Sequence, residues 1–272
     1  MNNFKMVCLD IDGTLLNSNH QISENVKDAI SAVVNKMNIP VILVSARMPK
    51  GITFLQKELK IEQPIICYSG ALILDKDKTV LDKKFINVWD LEKVYRLAKN
   101  YNIHMSLYKD DEWYIEEMDN WAKQESDITN IIPKISDFKE LIELWKKEKT
   151  GPNKILCMAN PDEIIKLKEN IKVDDLNLYL SKPTYLEIMQ GTVSKTTAIN
   201  YLQKMFNAAK EEIITMGDNY NDIDMLKYSG LGIAMGNAPE DVKRYADCVT
   251  STNDEDGVAE ALKKYILLSD TL

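Results

Sequence analysis

The chain has 272 residues and a formal net charge of −8, from 34 Lys and Arg against 42 Asp and Glu. That balance disfavours broad attraction to nucleic acid, whose phosphates are gripped by clustered basic side chains; here Lys and Arg are interleaved with acids, as on a solvated surface. The opening MNNFKMVCLDIDGTLL has no basic segment followed by a long apolar run. Nowhere do about 18 uncharged apolar residues follow one another. The expectation is a soluble protein without signal peptide or membrane span. Cys8, Cys67, Cys157 and Cys248 are far apart and lie in apolar runs, which suits buried reduced thiols and a cytoplasmic setting. With only His20 and His104 present, a histidine-rich metal site is excluded, and any metal must be held mainly by oxygen.

Residues 5–11 read as a buried strand and 22–36 as an amphipathic helix with Ser23 as a candidate cap. Residues 39–45 form a second apolar strand, 49–59 a helix with Pro49 in its first turn, and 64–69 a third strand. Residues 71–74 and 79–82 make a hairpin around the charged turn 75–78. Strand alternating with helix predicts an α/β fold with a parallel sheet covered on both faces.

After about residue 83 the segments become more polar and aromatic, and all four Trp lie before residue 187. Helices are predicted at 90–101, 137–148 and 161–170, with alternating strands at 104–108, 112–115, 154–159, 177–181 and 185–189. Antiparallel strands with helices on one face fit that order, as an inserted α+β domain. The last third resumes the first pattern, with helices 194–206, 221–228, 239–245 and 256–268 among strands 212–216, 231–234 and 248–250. First and last thirds then share one sheet.

Asp10-Ile11-Asp12-Gly13-Thr14 closes the first strand. Its acids sit at the carboxyl end of a buried parallel strand, where open α/β sheets bind ligands. Two acids brought together there repel unless a cation or a proton lies between them. A hard divalent cation answers this for Asp10 and a proton for Asp12, although Asp also serves plain strand-end turns. Gly217-Asp218-Asn219-Tyr220-Asn221-Asp222 follows another apolar strand and opens a helix. Asp218 can therefore reach the same cation, while Asp222 also suits a first helical turn through the dipole alone. Ser45 ends the second strand, where its hydroxyl and the following N–H groups can hold a phosphate oxygen, or where it is an ordinary loop serine. Lys195 stands in the first turn of a helix, opposing the dipole unless an anion lies beside it; the alternative is an exposed surface lysine.

Asp10-x-Asp12-x-Thr14, Ser45, Lys195 and Gly217-Asp218-x-x-Asn221-Asp222 occur in the order and strand-end setting of the haloacid dehalogenase superfamily, which the chain resembles over essentially its whole length. The large insertion, Ala234-Met235-Gly236-Asn237-Ala238, and the closing stretch from Ala246-Asp247 to Asp256-Gly257-Val258 are similar to the Cof-type members with a type-IIB cap. The resemblance implies a Rossmann-like, doubly wound core of residues 1–82 and 190–272 and an α+β cap of residues 83–189. It also implies a Mg²⁺-dependent phosphatase acting on a small phosphate monoester. By it, Asp10 is the nucleophile that becomes an aspartyl-phosphate, and Asp12 the acid and then the base. Mg²⁺ is held by Asp10, Asp218 and the backbone carbonyl of Asp12. Ser45, Lys195 and Asn221 bind the phosphate. Asp222 orients Lys195 or a metal-bound water, and Gly13 and Thr14 shape the first loop. Arg47 is either a contact for a cap-bound group or a solvated side chain.

Two positions depart from the family's pattern. Ser69-Gly70 stands where Asn-Gly is usual, and Thr196 follows the lysine where Gly is frequent. The resemblance implies a cap that closes over the site and reads the leaving group, and most of the cap's aromatics are expected in its own core. The implied partner is a small phosphorylated metabolite, with no nucleic acid and no membrane, met by a monomer or weak homodimer. A phosphosugar mutase of the same superfamily and a non-catalytic phosphometabolite-binding protein remain as rivals.

Overall fold

The computed structural model describes residues 4–268. In chain order the elements are β1 (Met6–Asp10), α1 (Glu24–Asn35), β2 (Val41–Val44), α2 (Pro49–Leu59), β3 (Ile65–Cys67), β4 (Leu72–Leu74) and β5 (Val80–Lys83). Next come α3 (Val88–Asn100), β6 (His104–Lys109), β7 (Glu112–Ile115), α4 (Asn120–Thr129), β8 (Lys134–Ile135), α5 (Phe138–Glu148), β9 (Lys154–Met158), α6 (Pro161–Asn170), β10 (Leu176–Lys182) and β11 (Tyr185–Gln190). The chain then runs through α7 (Lys195–Met205), β12 (Ile213–Gly217), α8 (Ile223–Tyr228), β13 (Leu231–Ala234), α9 (Glu240–Lys243), β14 (Cys248–Val249) and α10 (Gly257–Leu262). Among the described residues no helix is long and apolar enough to cross a membrane. The chain divides into two compact units, one of residues 4–46, 52–81 and 194–268, the other of residues 47–51 and 82–193.

The first unit holds an eight-stranded sheet in the order β14-β13-β12-β1-β2-β3-β4-β5. The pairings from β14 through β3 are parallel, and β4 turns back antiparallel to β3. Every residue of β1, β2 and β12 is buried, which is why these strands are continuous apolar runs without alternation. Met6, Cys8, Ile42 and Val44 pack against Ala198, Ile199 and Leu202 of α7. In register, Asp10 lies beside Val44, and Leu9 beside Met216. The three strands therefore end level, with Asp10, Ser45 and Asp218 at neighbouring carboxyl ends.

Local chemistry sets the boundaries. The Ser23 hydroxyl accepts the Val26 N–H at 3.2 Å and caps α1. The third strand stops at Cys67 rather than residue 69, because Tyr68 and Ser69 take left-handed φ values of 51° and 53°. Neither is glycine, so each costs roughly 1–2 kcal/mol. The Ser69 N–H donates to the Ser45 carbonyl at 2.8 Å, which ties that turn to the end of β2. Helix α8 is preceded by a 3-10 turn, Tyr220–Asp222, and α10 continues past Leu262 as a π-helical turn.

The second unit is an α+β domain whose sheet has the order β10-β11-β9-β6-β7-β8, antiparallel except between β7 and β8. Met105, Leu107, Ile155, Cys157, Leu186 and Ile188 share one face by strand alternation and pack with Val94, Ile142 and Ile164 from α3, α5 and α6. Trp113, Trp145, Tyr95 and Tyr108 are buried, whereas Trp89 is 60% exposed. Helix α4 and strand β8 are absent from the sequence-based assignment. The Asp119 carboxylate starts α4 by accepting the Ala122 N–H at 2.8 Å.

Candidate active site

Asp10 is the last residue of β1 and only 6% exposed. Lys195 opens α7, and its buried ammonium donates to both Asp10 Oδ1 and Asp222 Oδ1, the latter at 2.6 Å. The other Asp222 oxygen accepts the backbone N–H groups of Asp218 and Asn219 at 3.1 and 3.0 Å. One carboxylate thus anchors the lysine and also shapes the turn that presents Asp218. Gly217 permits this: a Cβ there would lie 2.6 Å from Asp222 Cβ. The Thr14 hydroxyl donates to Asp218 Oδ1 at 3.1 Å. Gly13, at φ +83°, passes so close that a Cβ would overlap the Asp218 carboxylate.

Asp10, Asp218 and Asp222 each offer a carboxylate oxygen within 4.8 Å of the others. Burial pushes the Asp10 carboxyl well above its usual pKa; Lys195 opposes that shift, and Asp222 and Asp218 add to it. Burial, then the Asp222 charge, raises Asp218 from 3.8 to about 7. Burial works against the Lys195 charge, yet Asp10 and Asp222 outweigh it and lift its pKa above the ordinary value. Three acids facing one lysine can all ionise only if a further positive charge joins them, and all-oxygen donors suit a hard divalent cation. Asp222 is already engaged by Lys195 and two N–H groups, so Asp10 and Asp218 are the residues fitted to hold such an ion.

The other sequence-predicted residues are distributed unevenly. Ser45 is buried at the end of β2, its N–H donating to the Ile66 carbonyl at 2.9 Å. Asp12 is exposed in the loop after β1, and Asn221 is half-buried in the 3-10 turn that ends at Asp222. Arg47 groups with the α+β unit, where its guanidinium donates to the Gly51 carbonyl at 3.5 Å. At the departing positions, Ser69 is buried and the Thr196 hydroxyl oxygen is buried without a hydrogen-bond partner. Sequence reasoning missed Asn253 and gave Asn237 no role. Both bond to the loop that carries Asp12, across separations of 224 and 237 residues that no periodicity reveals.

Level parallel strand ends that bring three acids to a buried lysine are the arrangement of a doubly wound α/β core, into which the chain inserts a second, α+β unit. The chain belongs to the haloacid dehalogenase-like hydrolase family, which matches residues 7–262. A Haemophilus influenzae relative with a provisional phosphatase name is 33% identical over 265 residues, covering 96% of this chain and 98% of its own. A Bacillus subtilis 5-amino-6-(5-phospho-D-ribitylamino)uracil phosphatase, YcsE, is 28% identical, with 97% and 96% covered. The crystal structure of a haloacid dehalogenase-like hydrolase from Bacteroides thetaiotaomicron superposes with a TM-score of 0.87 at 29% identity, covering 96% of this chain and 99% of that one.

Proposed function

We propose that this enzyme is a Mg²⁺-dependent phosphatase that removes phosphate from a small monoester through an aspartyl-phosphate on Asp10. The observation that carries the proposal is the Lys195 ammonium between the Asp10 and Asp222 carboxylates, within an acid cluster that Asp218 completes. An Asp10 oxygen attacks phosphorus as the ester P–O bond breaks, and Asp12 gives its proton to the departing oxygen. Asp12 then takes a proton from the water that attacks the same phosphorus. The bond from phosphorus to Asp10 breaks, phosphate leaves, and both carboxyl groups return to their starting states. Lys195, Ser45 and Asn221 hold the non-bridging oxygens, whose charge is stabilised chiefly by positioning and electrostatics. Asp10, Asp218 and the Asp12 carbonyl would hold Mg²⁺, which would supply the positive charge that lets an anionic carboxylate meet an anionic phosphate.

The substrate in this proposal is a free phosphorylated metabolite, met in a reducing cytoplasm that suits four cysteines with no disulfide among them. The ribityl phosphate in the name of the Bacillus subtilis relative makes phosphorylated polyols and sugar phosphates the first compounds to try. The test is release of inorganic phosphate from a panel of such esters, with Mg²⁺ and with a chelator. Mg²⁺-dependent release from at least one ester, lost in Asp10→Asn, is the expected result. Release indifferent to both chelator and substitution would overturn the proposal.

A further inference from the structure

Two asparagines grip the loop that carries Asp12. Asn237, in the turn after β13, donates from Nδ2 to the Gly13 carbonyl at 2.9 Å, and its Oδ1 accepts the Asn253 backbone N–H at 3.0 Å. Asn253 in turn donates from Nδ2 to the Leu16 carbonyl at 2.9 Å. Next to it, Asp254 Oδ1 accepts the Ser18 N–H at 2.8 Å. The gripped loop is itself tight: the Leu16 N–H donates to the Ile11 carbonyl at 2.9 Å, and Asp12 bridges to Leu16. Thr14 also holds it to Asp218.

An amide is the side chain that this junction calls for, since it offers a donor and an acceptor at once. Asn237 uses both, joining a carbonyl of the first loop to an N–H of the Asn253 turn. Asp10 is fixed by burial and by Lys195. Asp12 stands on the exposed part of its loop, and the course of backbone 12–16 sets the point from which its side chain departs. A general acid acts only within hydrogen-bond reach of the leaving oxygen, about 2.6–3.2 Å. A tilt of the loop by an ångström therefore removes the acid and leaves the nucleophile in place.

Building on the phosphatase proposal and on Asp12 as its acid, we infer that Asn237 and Asn253 are positioning residues for Asp12. They form a bracket that sets the protonation of the leaving group, while Ser45, Lys195 and Asn221, which lie outside the loop, continue to hold phosphate.

Leaving groups separate this role from a merely structural one. An aryl ester such as p-nitrophenyl phosphate departs as a stabilised phenolate and needs little protonation, whereas an alkyl ester needs the proton. The measurement is kcat/KM for p-nitrophenyl phosphate and for the sugar phosphate hydrolysed fastest in the panel, together with the competitive inhibition constant of inorganic phosphate. Asn237→Ala is expected to lower the alkyl value about tenfold or more and the aryl value less than about threefold, with phosphate inhibition unchanged. Asn237→Asp keeps an acceptor for the Asn253 N–H but loses the donor to Gly13, and should match the alanine variant. Asn253→Ala should act in the same sense. Asp12→Ala is the reference, with a loss selective for the alkyl ester. Equal losses on both esters, or none, in the Asn237 variants beside a selective Asp12→Ala would overturn the bracket and leave the phosphatase proposal standing. An unselective Asp12→Ala would overturn both the bracket and the assignment of Asp12.

Discussion

Lys195 and Asp222 form a buried ion pair, 2.6 Å from Nζ to Oδ1, with side chains 2% and 0% exposed. A lysine removed from water needs compensating charge, and Asp222 supplies it while its second oxygen holds the Asp218 and Asn219 N–H groups. Asp222→Ala leaves Lys195 with the Asp10 carboxylate alone and deprives two N–H groups of their acceptor. We expect a stability loss of about 3–5 kcal/mol in urea unfolding. Turnover should fall at least about a hundredfold, because Lys195 and the Asp218 turn both lose their anchor. An unfolding midpoint like that of the wild type would show that Asp222 is not the structural keystone of the site.

Asp10→Asn is expected to abolish turnover and leave the fold intact. The amide is isosteric with the carboxylate but a poor nucleophile, so phosphate release should drop by at least about ten-thousandfold. The stability change should stay within about 1 kcal/mol, because the lost attraction to Lys195 is offset by relief of a charge that burial disfavours. Substantial residual hydrolysis by a properly folded variant would take the nucleophile's role away from Asp10.

The core was legible because strands buried on both faces are apolar runs, such as Val41–Val44 in β2 and Ile213–Gly217 in β12. Wherever such a run ends, the next polar residue stands at the sheet's carboxyl edge; that rule places Asp10, Ser45 and Asp218 there, while their roles rest on the family resemblance. Pro161–Asn170 was read to the residue, since Asn160 and Pro161 mark its start. Helix α4 was missed because Asn120–Thr129 carries only scattered apolar residues and depends on the Asp119 cap and on tertiary packing. The left-handed pair Tyr68 and Ser69 had no glycine to announce it; its bond to the Ser45 carbonyl comes from the fold. The asparagine contacts to Gly13 and Leu16 were hidden for the same reason, as they join chain segments that only the assembled sheet brings together.

Gly13→Ala tests the close approach of the first loop to Asp218. The substitution combines a φ of +83° with a Cβ that overlaps the Asp218 carboxylate, so neither backbone nor neighbour accepts it unchanged. The expected loss is about 1–3 kcal/mol in urea unfolding, with turnover reduced through the displaced Asp218. Stability equal to the wild type, or above it, would mean that the loop and Asp218 have room to separate.

Binding of Mg²⁺ should compete with a proton on Asp218. Burial and the Asp222 charge raise that carboxyl from 3.8 to about 7, so the metal-free fold favours its protonated form. For a carboxyl raised in the folded state, the stabilisation is present at low pH and is lost as pH rises from about 4 through about 7. The cation favours the ionised acid, so its affinity should rise up to about tenfold per pH unit below about pH 7 and level off above it. Thermal unfolding with Mg²⁺ and with a chelator, at about pH 5.5 and about pH 8.5, reads this without any substrate. The metal-free protein should melt lower at the higher pH, and Mg²⁺ should raise the midpoint more there. An equal rise at both values would mean that the ion displaces no proton and that Asp218 is already ionised at the lower pH.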